Sequence, residues 1–170
     1  MLVRPEDPDD YAAIAAVNRA AFGGNEEATL VELLRKDGLI IASAVAINDS
    51  GEVVGHILFS PATILAGNNE LKVASLAPMA VVPGFQCRGV GSMLVQHGLE
   101  ACRQAGYRAV IVVGHPSYYP RFGFSHGLVA GLANPFTATE AFMGLELARG
   151  SLSDLGEGRV VYPDAFNQLS

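Results

Sequence analysis

The sequence is short of cysteine, of long apolar runs and of basic clusters, and each shortage excludes a class of protein. Its two cysteines, Cys87 and Cys102, are too few for a disulfide framework and form no Cys-x-x-Cys pair that would bind zinc. No uninterrupted apolar run reaches the roughly 18 residues of a membrane span, and the proline- and acid-rich N-terminus lacks the pattern of a signal peptide. These features predict a protein of the reducing cytoplasm that has no membrane partner.

Basic residues are few as well, since 11 lysines and arginines stand against 17 acids and give a formal net charge of −6. They are scattered along the chain, so nucleic acid is not an expected partner. Seven of the acids fall between positions 6 and 32. Such a stretch either attracts a cationic ligand or forms two ordinary solvated helix faces, and the sequence leaves both interpretations open.

The composition favours one domain, because half of the 170 residues are apolar and only 16% are charged. The predicted order of elements is β-α-α-β-β-β-α-β-α-β, which indicates an α/β domain with a mixed sheet. Pro78 falls inside the fourth predicted strand, so we expect a bulge or a splay there. The predicted helices cover residues 7–22, 26–36 and 89–105, with a short element at 118–122. The predicted strands cover residues 2–5, 39–47, 53–65, 71–82 and 109–113, with two late candidates at 142–147 and 159–162. The strand at 109–113 is expected to be buried and parallel.

Residues 81–92 carry the strongest chemical signal, because there a strand ends, a glycine-bearing loop follows and a helix begins. A helix N-terminus offers unpaired N–H groups and about half a positive charge, and glycines let an anion approach them closely. Arg88 adds a formal charge beside this loop. The residues therefore predict a phosphate site, although no lysine completes a P-loop and Leu94 stands where a dinucleotide fingerprint needs a small residue.

Two motifs resemble those of the GNAT superfamily of N-acetyltransferases. Gln86-x-x-Gly89-x-Gly91 is similar to the loop of that superfamily that holds the pyrophosphate of acetyl-CoA on its backbone amides. The run from Tyr119 to Phe124, with its Y-x-x-x-G-F pattern, resembles the element that follows the fifth strand, and the wider run is similar to a subgroup with the motif YYxRFGF. The order of elements matches over residues 1–147. The chain departs from the pattern at Val112, where many members carry an asparagine.

The resemblance implies a mixed, mostly antiparallel sheet that is splayed between strands four and five, with helices on both faces. It implies an N-acetyltransferase domain over residues 1–149, a C-terminal extension over residues 150–170 that packs on the same domain, and a monomer or homodimer. Acetyl-CoA would be the cosubstrate and no metal would be needed. The residues expected to bind CoA are those of the strand end and the loop: Val81, Val82, Pro83, Gln86, Cys87, Arg88, Gly89, Val90, Gly91 and Ser92.

The activity implied is transfer of an acetyl group to a primary amine of a small molecule or peptide by direct attack. Tyr119 aligns with the tyrosine that protonates the leaving thiolate, although a packing aromatic would leave the same pattern. The acceptor site would be walled by the region that holds Glu26, Glu27 and Glu32, and His115 is a further candidate base. Two alternatives remain open at this point: a non-catalytic acyl-CoA-binding module on the same fold, and an α/β domain whose glycine loop binds a mononucleotide.

Overall fold

The computed structural model describes residues 1–169, which form eight strands and three α-helices. Among these residues, no helix is both long enough and apolar enough to cross a membrane. The helices are α1 (Tyr11–Phe22), α2 (Glu26–Lys36) and α3 (Val90–Gln104). The strands are β1 (Leu2–Pro5), β2 (Ala42–Ile47), β3 (Val53–Ala66), β4 (Asn69–Val81), β5 (Ala109–Val113), β6 (Leu132–Ala133), β7 (Phe142–Glu146) and β8 (Gly158–Val161).

The sheet has the order β1-β2-β3-β4-β5-β7, and its neighbours are antiparallel except for the parallel pair β4–β5. The expected mixed, mostly antiparallel sheet is therefore present, and so is the parallel strand predicted at 109–113. Strand β8 pairs with the far half of β3, beyond the end of β2, and the two-residue strand β6 pairs with β8. The 3₁₀ turn before α1 (Pro8–Asp10) is capped by Asp7, whose carboxylate accepts the N–H of Asp9 at 3.1 Å.

Helix α3 covers one face of the sheet, and α1 and α2 cover the other. Alternate residues of β3 separate the two sides: Ile57 and Phe59 belong to the core under α3, whereas Leu58 packs with Ile14 and Leu34 of the opposite helices. The C-terminal residues join this second core, because Phe166 is 2% exposed there. Each face of the sheet thus has its own apolar core, and helices lie on both faces as expected.

Strands β4 and β5 separate soon after they meet, and this opens the sheet. Their pairing runs only from Ala74 to Leu76 on β4, opposite Val110 to Val112 on β5. Beyond Leu76, β4 continues beside β3 alone, and the register between them shifts where β4 contains Pro78 and its cis peptide bond. The irregularity expected at Pro78 is confirmed, and its consequence is a gap on the β5 side of residues 77–81.

Candidate functional site

The gap between β4 and β5 holds a cavity of about 690 Å³ that extends through the sheet. Its middle lies between β4 and the segment that follows β5. One end reaches the loop before α3, and the other reaches the C-terminal half of α1 and the first turns of α2. The lining residues are Ala21, Phe22, Glu27 and Leu30 from the helices, residues 76–81 of β4, Gln86 and Cys87 of the loop, Val113, Gly114, His115, Tyr118 and Tyr119 after β5, and Leu169. We call this cavity the slot.

The loop end of the slot has the geometry of an anion site. The chain makes a 3₁₀ turn over Pro83–Phe85, and the side-chain amide of Gln86 donates to the Val81 carbonyl oxygen at 2.9 Å, which closes the loop. Two residues then adopt left-handed backbone, Cys87 at φ 62° and Gly89 at φ 82°. Their conformation directs the chain into α3 so that the first turn faces outward from the loop.

The first turn of α3 presents unpaired amides. Gly89 is the residue that caps the helix, and no side chain accepts a hydrogen bond there within the described residues. The N–H groups of Val90, Gly91 and Ser92 have no partner within the helix, as in any first turn. A Cβ at Gly89 would meet nothing within 4 Å, so the space beside the capping residue is open, whereas the Tyr118 hydroxyl lies close to Gly91. Arg88 lies beside them with its guanidinium 5.3 Å from the ring centre of Phe85. The unpaired amides and the neighbouring guanidinium together favour an anion at this position.

In the middle of the slot, the backbone N–H of Val81 points into the gap between β4 and β5. Its neighbour Val82 donates its N–H to the Val54 carbonyl oxygen of β3 at 2.9 Å, whereas Val81 itself lies opposite Gly55. Because adjacent residues of an antiparallel strand direct their backbone groups to opposite sides, the N–H of Val81 points away from β3 and into the slot. This amide is a hydrogen-bond donor at the point where β4 has lost its neighbour.

Tyr119 lines the same slot as Val81 and is 7% exposed. Its ring packs edge-on against Phe124 at 5.7 Å between centres, and it occupies the space where a side chain at Gly114 would stand. Burial, reinforced by the neighbouring Tyr118, raises the pKa of Tyr119 well above its usual range, so the phenol is fully protonated at neutral pH.

Tyr118 also lines the slot, although the sequence analysis assigned it no role. Its hydroxyl lies 2.7 Å from the position that a Cβ at Gly91 would take, above the first turn of α3. The Arg121 guanidinium stacks on the other side, 4.4 Å from the centre of the ring, and its Nε donates to the Tyr118 carbonyl oxygen at 2.9 Å. No sequence pattern pairs residues 118 and 91, because the contact forms only when β5 and α3 come together in the fold.

The three glutamates expected at the acceptor end are separated in the structure. Glu27 lines the slot and is half-buried, whereas Glu26 is exposed and does not line it. Glu32 lies on another face of α2, in a shallow depression that also contains Arg35 and Lys36. His115 lines the slot, as the sequence suggested for a residue that follows the fifth strand. Among the described residues, no three histidines, cysteines or acids come together as a metal site.

A buried chain of hydrogen bonds beside the slot was not foreseen from the sequence. Asn18 on α1 donates to His56 Nδ1 at 3.2 Å, His56 Nε2 donates to Ser43 Oγ at 2.9 Å, and Ser43 donates to Glu6. Arg35 completes the chain by donating to the Glu6 carboxylate at 3.0 Å. Burial, together with the charge of Arg35, lowers the pKa of His56 to about 3, so this histidine is neutral.

The comparisons with known proteins decide the family. The acetyltransferase (GNAT) domain matches this sequence over residues 3–127. The chain belongs to the GNAT family. The N-acetyltransferase YhbS of Escherichia coli K12 is 36% identical over 170 residues, which are 99% of this chain and 100% of that protein. The N-acetyltransferase YjhQ of the same organism is 40% identical over 119 residues, which are 69% of this chain and 66% of that protein.

Solved GNAT structures share the whole fold. The crystal structure of E. coli YhbS in complex with CoA has a TM-score of 0.89 and 35% identity, and covers 99% of this chain and 93% of its own. A GNAT acetyltransferase from Brucella melitensis in complex with acetyl-CoA has a TM-score of 0.78 and 34% identity over 97% of both chains. The fold expected from the two motifs is therefore confirmed, and the GNAT protein described here is an acetyltransferase.

Proposed function

We propose that this protein transfers the acetyl group of acetyl-CoA directly to a primary amine of a small molecule or a peptide. The observation that carries the proposal is the continuous slot, which joins the loop before α3, at Gln86 and Cys87, to the helices on the opposite face of the sheet. The relatives from E. coli and Brucella melitensis support this use, because they were crystallised with CoA and acetyl-CoA respectively.

The residues at the loop end are suited to the pyrophosphate of acetyl-CoA. The amides of Val90, Gly91 and Ser92 would donate to its oxygens, and Arg88 would add a positive charge. Gln86 acts on the loop itself, since its amide is already engaged with Val81. The pantetheine arm would then follow the gap between β4 and β5, which is the part of the slot that carries the Val81 amide.

The reaction needs no covalent intermediate on the protein. The amine nitrogen attacks the thioester carbonyl carbon, an N–C bond forms, and the C–S bond breaks with the electron pair leaving on sulfur. The Val81 N–H donates to the carbonyl oxygen as negative charge develops on it. The Tyr119 hydroxyl first donates a hydrogen bond to the departing sulfur and then transfers its proton to it. Because burial raises the pKa of the phenol, Tyr119 is protonated when the sulfur departs and has a proton to give.

The amine also has to lose a proton before or during attack. Glu27 and His115 are the carboxylate and the imidazole that line the slot within the described residues, and either can accept this proton directly or through water. Cys87 lines the same slot, but direct attack by the amine gives it no chemical role.

The proposal is tested by two measurements on the purified protein. Calorimetry with CoA and with ATP separates an acetyl-CoA site from a mononucleotide site, and thiol release from acetyl-CoA in the presence of primary amines measures transfer. We expect CoA to bind and at least one amine to accelerate thiol release, with an N-acetylated product seen by mass spectrometry. Binding of CoA without transfer to any amine would favour a non-catalytic acyl-CoA-binding module, and absence of CoA binding would overturn the proposal.

A further inference from the structure

The acceptor end of the slot restricts the kind of amine that fits, and this inference rests on the proposed function. We propose that the acceptor is an apolar monoamine, meaning one ammonium group on an alkyl or arylalkyl body, and that Glu27 is the counter-ion of its ammonium group. Three observations carry the proposal: the apolar side chains that line the acceptor end, the single carboxylate among them, and the cationic side chains that surround Glu32 outside the slot.

The acceptor end is built by the junction of α1 and α2. Ala21 and Phe22 are the last residues of α1, and Gly23 turns the chain with φ 77° so that α2 starts three residues later, at Glu26. Glu27 and Leu30 are three positions apart on α2 and therefore lie on the same face, which is the face that lines the slot. The junction thus places one carboxylate among apolar side chains.

The apolar part of this wall is large enough to hold the body of the acceptor. Phe22 is 47% exposed, an unusual position for a phenylalanine, and it lines the slot together with Ala21 and Leu30. Leu169 adds an apolar side chain from the C-terminal segment. Each buried CH₂ group contributes roughly a fourfold gain in affinity, so longer apolar amines bind better while the wall accommodates them.

The charges exclude the other common classes of amine. Within the described residues, no lysine or arginine lines the slot, so the carboxylate of a free amino acid would find no cation there. Glu27 is the one carboxylate among these lining residues, so the additional ammonium groups of a polyamine would remain without partners. An amine with a single positive charge and no negative charge matches this end of the slot.

The depression that holds Glu32 does not offer a second ammonium site. It contains three cationic side chains, Arg19, Arg35 and Lys36, beside the single carboxylate of Glu32. An ammonium group there would be repelled by more charges than attract it. The acids of α2 are therefore not equivalent, and only Glu27 combines a carboxylate with an apolar wall inside the slot.

The proposal is tested by initial rates at saturating acetyl-CoA with five acceptors: ethylamine, butylamine, 2-phenylethylamine, phenylalanine and spermidine. We expect kcat/KM to rise about 15-fold from ethylamine to butylamine, for two added CH₂ groups. We expect 2-phenylethylamine to exceed phenylalanine by at least about 30-fold, because the two share one body and differ by a carboxylate. A higher kcat/KM for spermidine or phenylalanine than for 2-phenylethylamine overturns the proposal.

Variants test whether Glu27 and Phe22 are the residues that select the amine. Glu27→Gln should raise the KM for 2-phenylethylamine about 10-fold. In the wild-type protein, kcat/KM should decrease between about 20 and 300 mM salt, because salt screens the attraction between Glu27 and the ammonium group. Glu27→Gln should remove this decrease. The matched control is Glu70→Gln, at the exposed start of β4 and outside the slot, which should keep both the KM and the salt dependence. Phe22→Ala should lower kcat/KM for 2-phenylethylamine about 10-fold more than it lowers kcat/KM for ethylamine.

These outcomes separate the failure of this inference from failure of the proposed function. If spermidine or an amino acid is acetylated efficiently, the protein is an amine acetyltransferase with a different acceptor class. If no amine in the panel releases thiol although CoA binds, the proposed transfer itself is wrong. An unchanged KM for 2-phenylethylamine in Glu27→Gln would remove Glu27 as the counter-ion.

Discussion

The hydroxyl of Tyr118 lies 2.7 Å from the position that a Cβ at Gly91 would take. The first turn of α3 and the segment after β5 therefore fit against each other without adjustment only while residue 91 has no side chain. Gly91→Ala should displace the tyrosine or the helix and raise the Kd for CoA about 10-fold, measured by calorimetry. In the double variant with Tyr118→Phe the oxygen that causes the clash is absent, so part of the loss should be recovered. Equal affinities of Gly91→Ala and the wild type would show that this contact does not shape the site.

Gly89→Glu should abolish CoA binding without unfolding the protein. The substitution places a carboxylate in front of the open amides of α3, and repulsion of the pyrophosphate should cost at least about 2 kcal/mol, or about 30-fold in Kd. Gly106→Glu is the matched control, because Gly106 also has a positive φ, 89°, and open space around its Cβ position, but follows the other end of α3. The two variants should lose similar thermal stability, and only Gly89→Glu should lose CoA. Native affinity in a folded Gly89→Glu protein would exclude the phosphate site.

Tyr119→Phe should lower kcat about 100-fold and leave the Kd for CoA within about threefold of the wild-type value. The substitution retains the ring that packs against Gly114 and Phe124 and removes only the hydroxyl. Tyr107→Phe, outside the slot, controls for the loss of a phenol. A stable Tyr119→Phe enzyme with wild-type turnover would leave the tyrosine a packing role only.

His56 should make the protein less stable in mild acid. Its pKa is about 3 in the folded protein and about 6.5 when unfolded, so between these values the unfolded state binds more protons. The free energy of unfolding should therefore decrease as the pH falls from about 6.5, by up to about 1.4 kcal/mol per pH unit. Urea unfolding at pH 7.5, 6.5 and 5.5 measures this slope, and His56→Gln should flatten it. An equal slope in both proteins would assign the acid sensitivity to other groups.

The features that the sequence predicted well are those with local signals. Strand β5 was predicted with its observed bounds because its apolar, β-branched run is continuous, and the loop at Gly89 was found because a glycine and a helix start are adjacent in the chain. Strand β2 starts at Ala42 rather than at residue 39, because the N–H of Leu39 still donates to the Leu34 carbonyl oxygen at the end of α2.

The features that escaped prediction depend on residues distant in the sequence. The two residues of β6 form a strand only because β8 lies beside them, and Leu169 reaches the slot only because Phe166 packs under α2. The neutral state of His56 depends on Asn18 and Ser43, which come from two other elements. Of the three acids on α2, the helical pattern alone does not distinguish Glu27 from Glu32, since their surroundings are set by α1.

The passage of the slot through the sheet has a kinetic consequence. The phosphate loop lies at one end and the junction of α1 and α2 at the other, so two substrates can occupy the protein together without competing for one entrance. Initial-velocity plots for the two substrates should therefore intersect, as in a sequential mechanism, rather than run parallel. Isotope exchange between acetyl-CoA and free CoA should be undetectable until an amine is added, because the proposed direct transfer forms no acetylated protein that could mediate it.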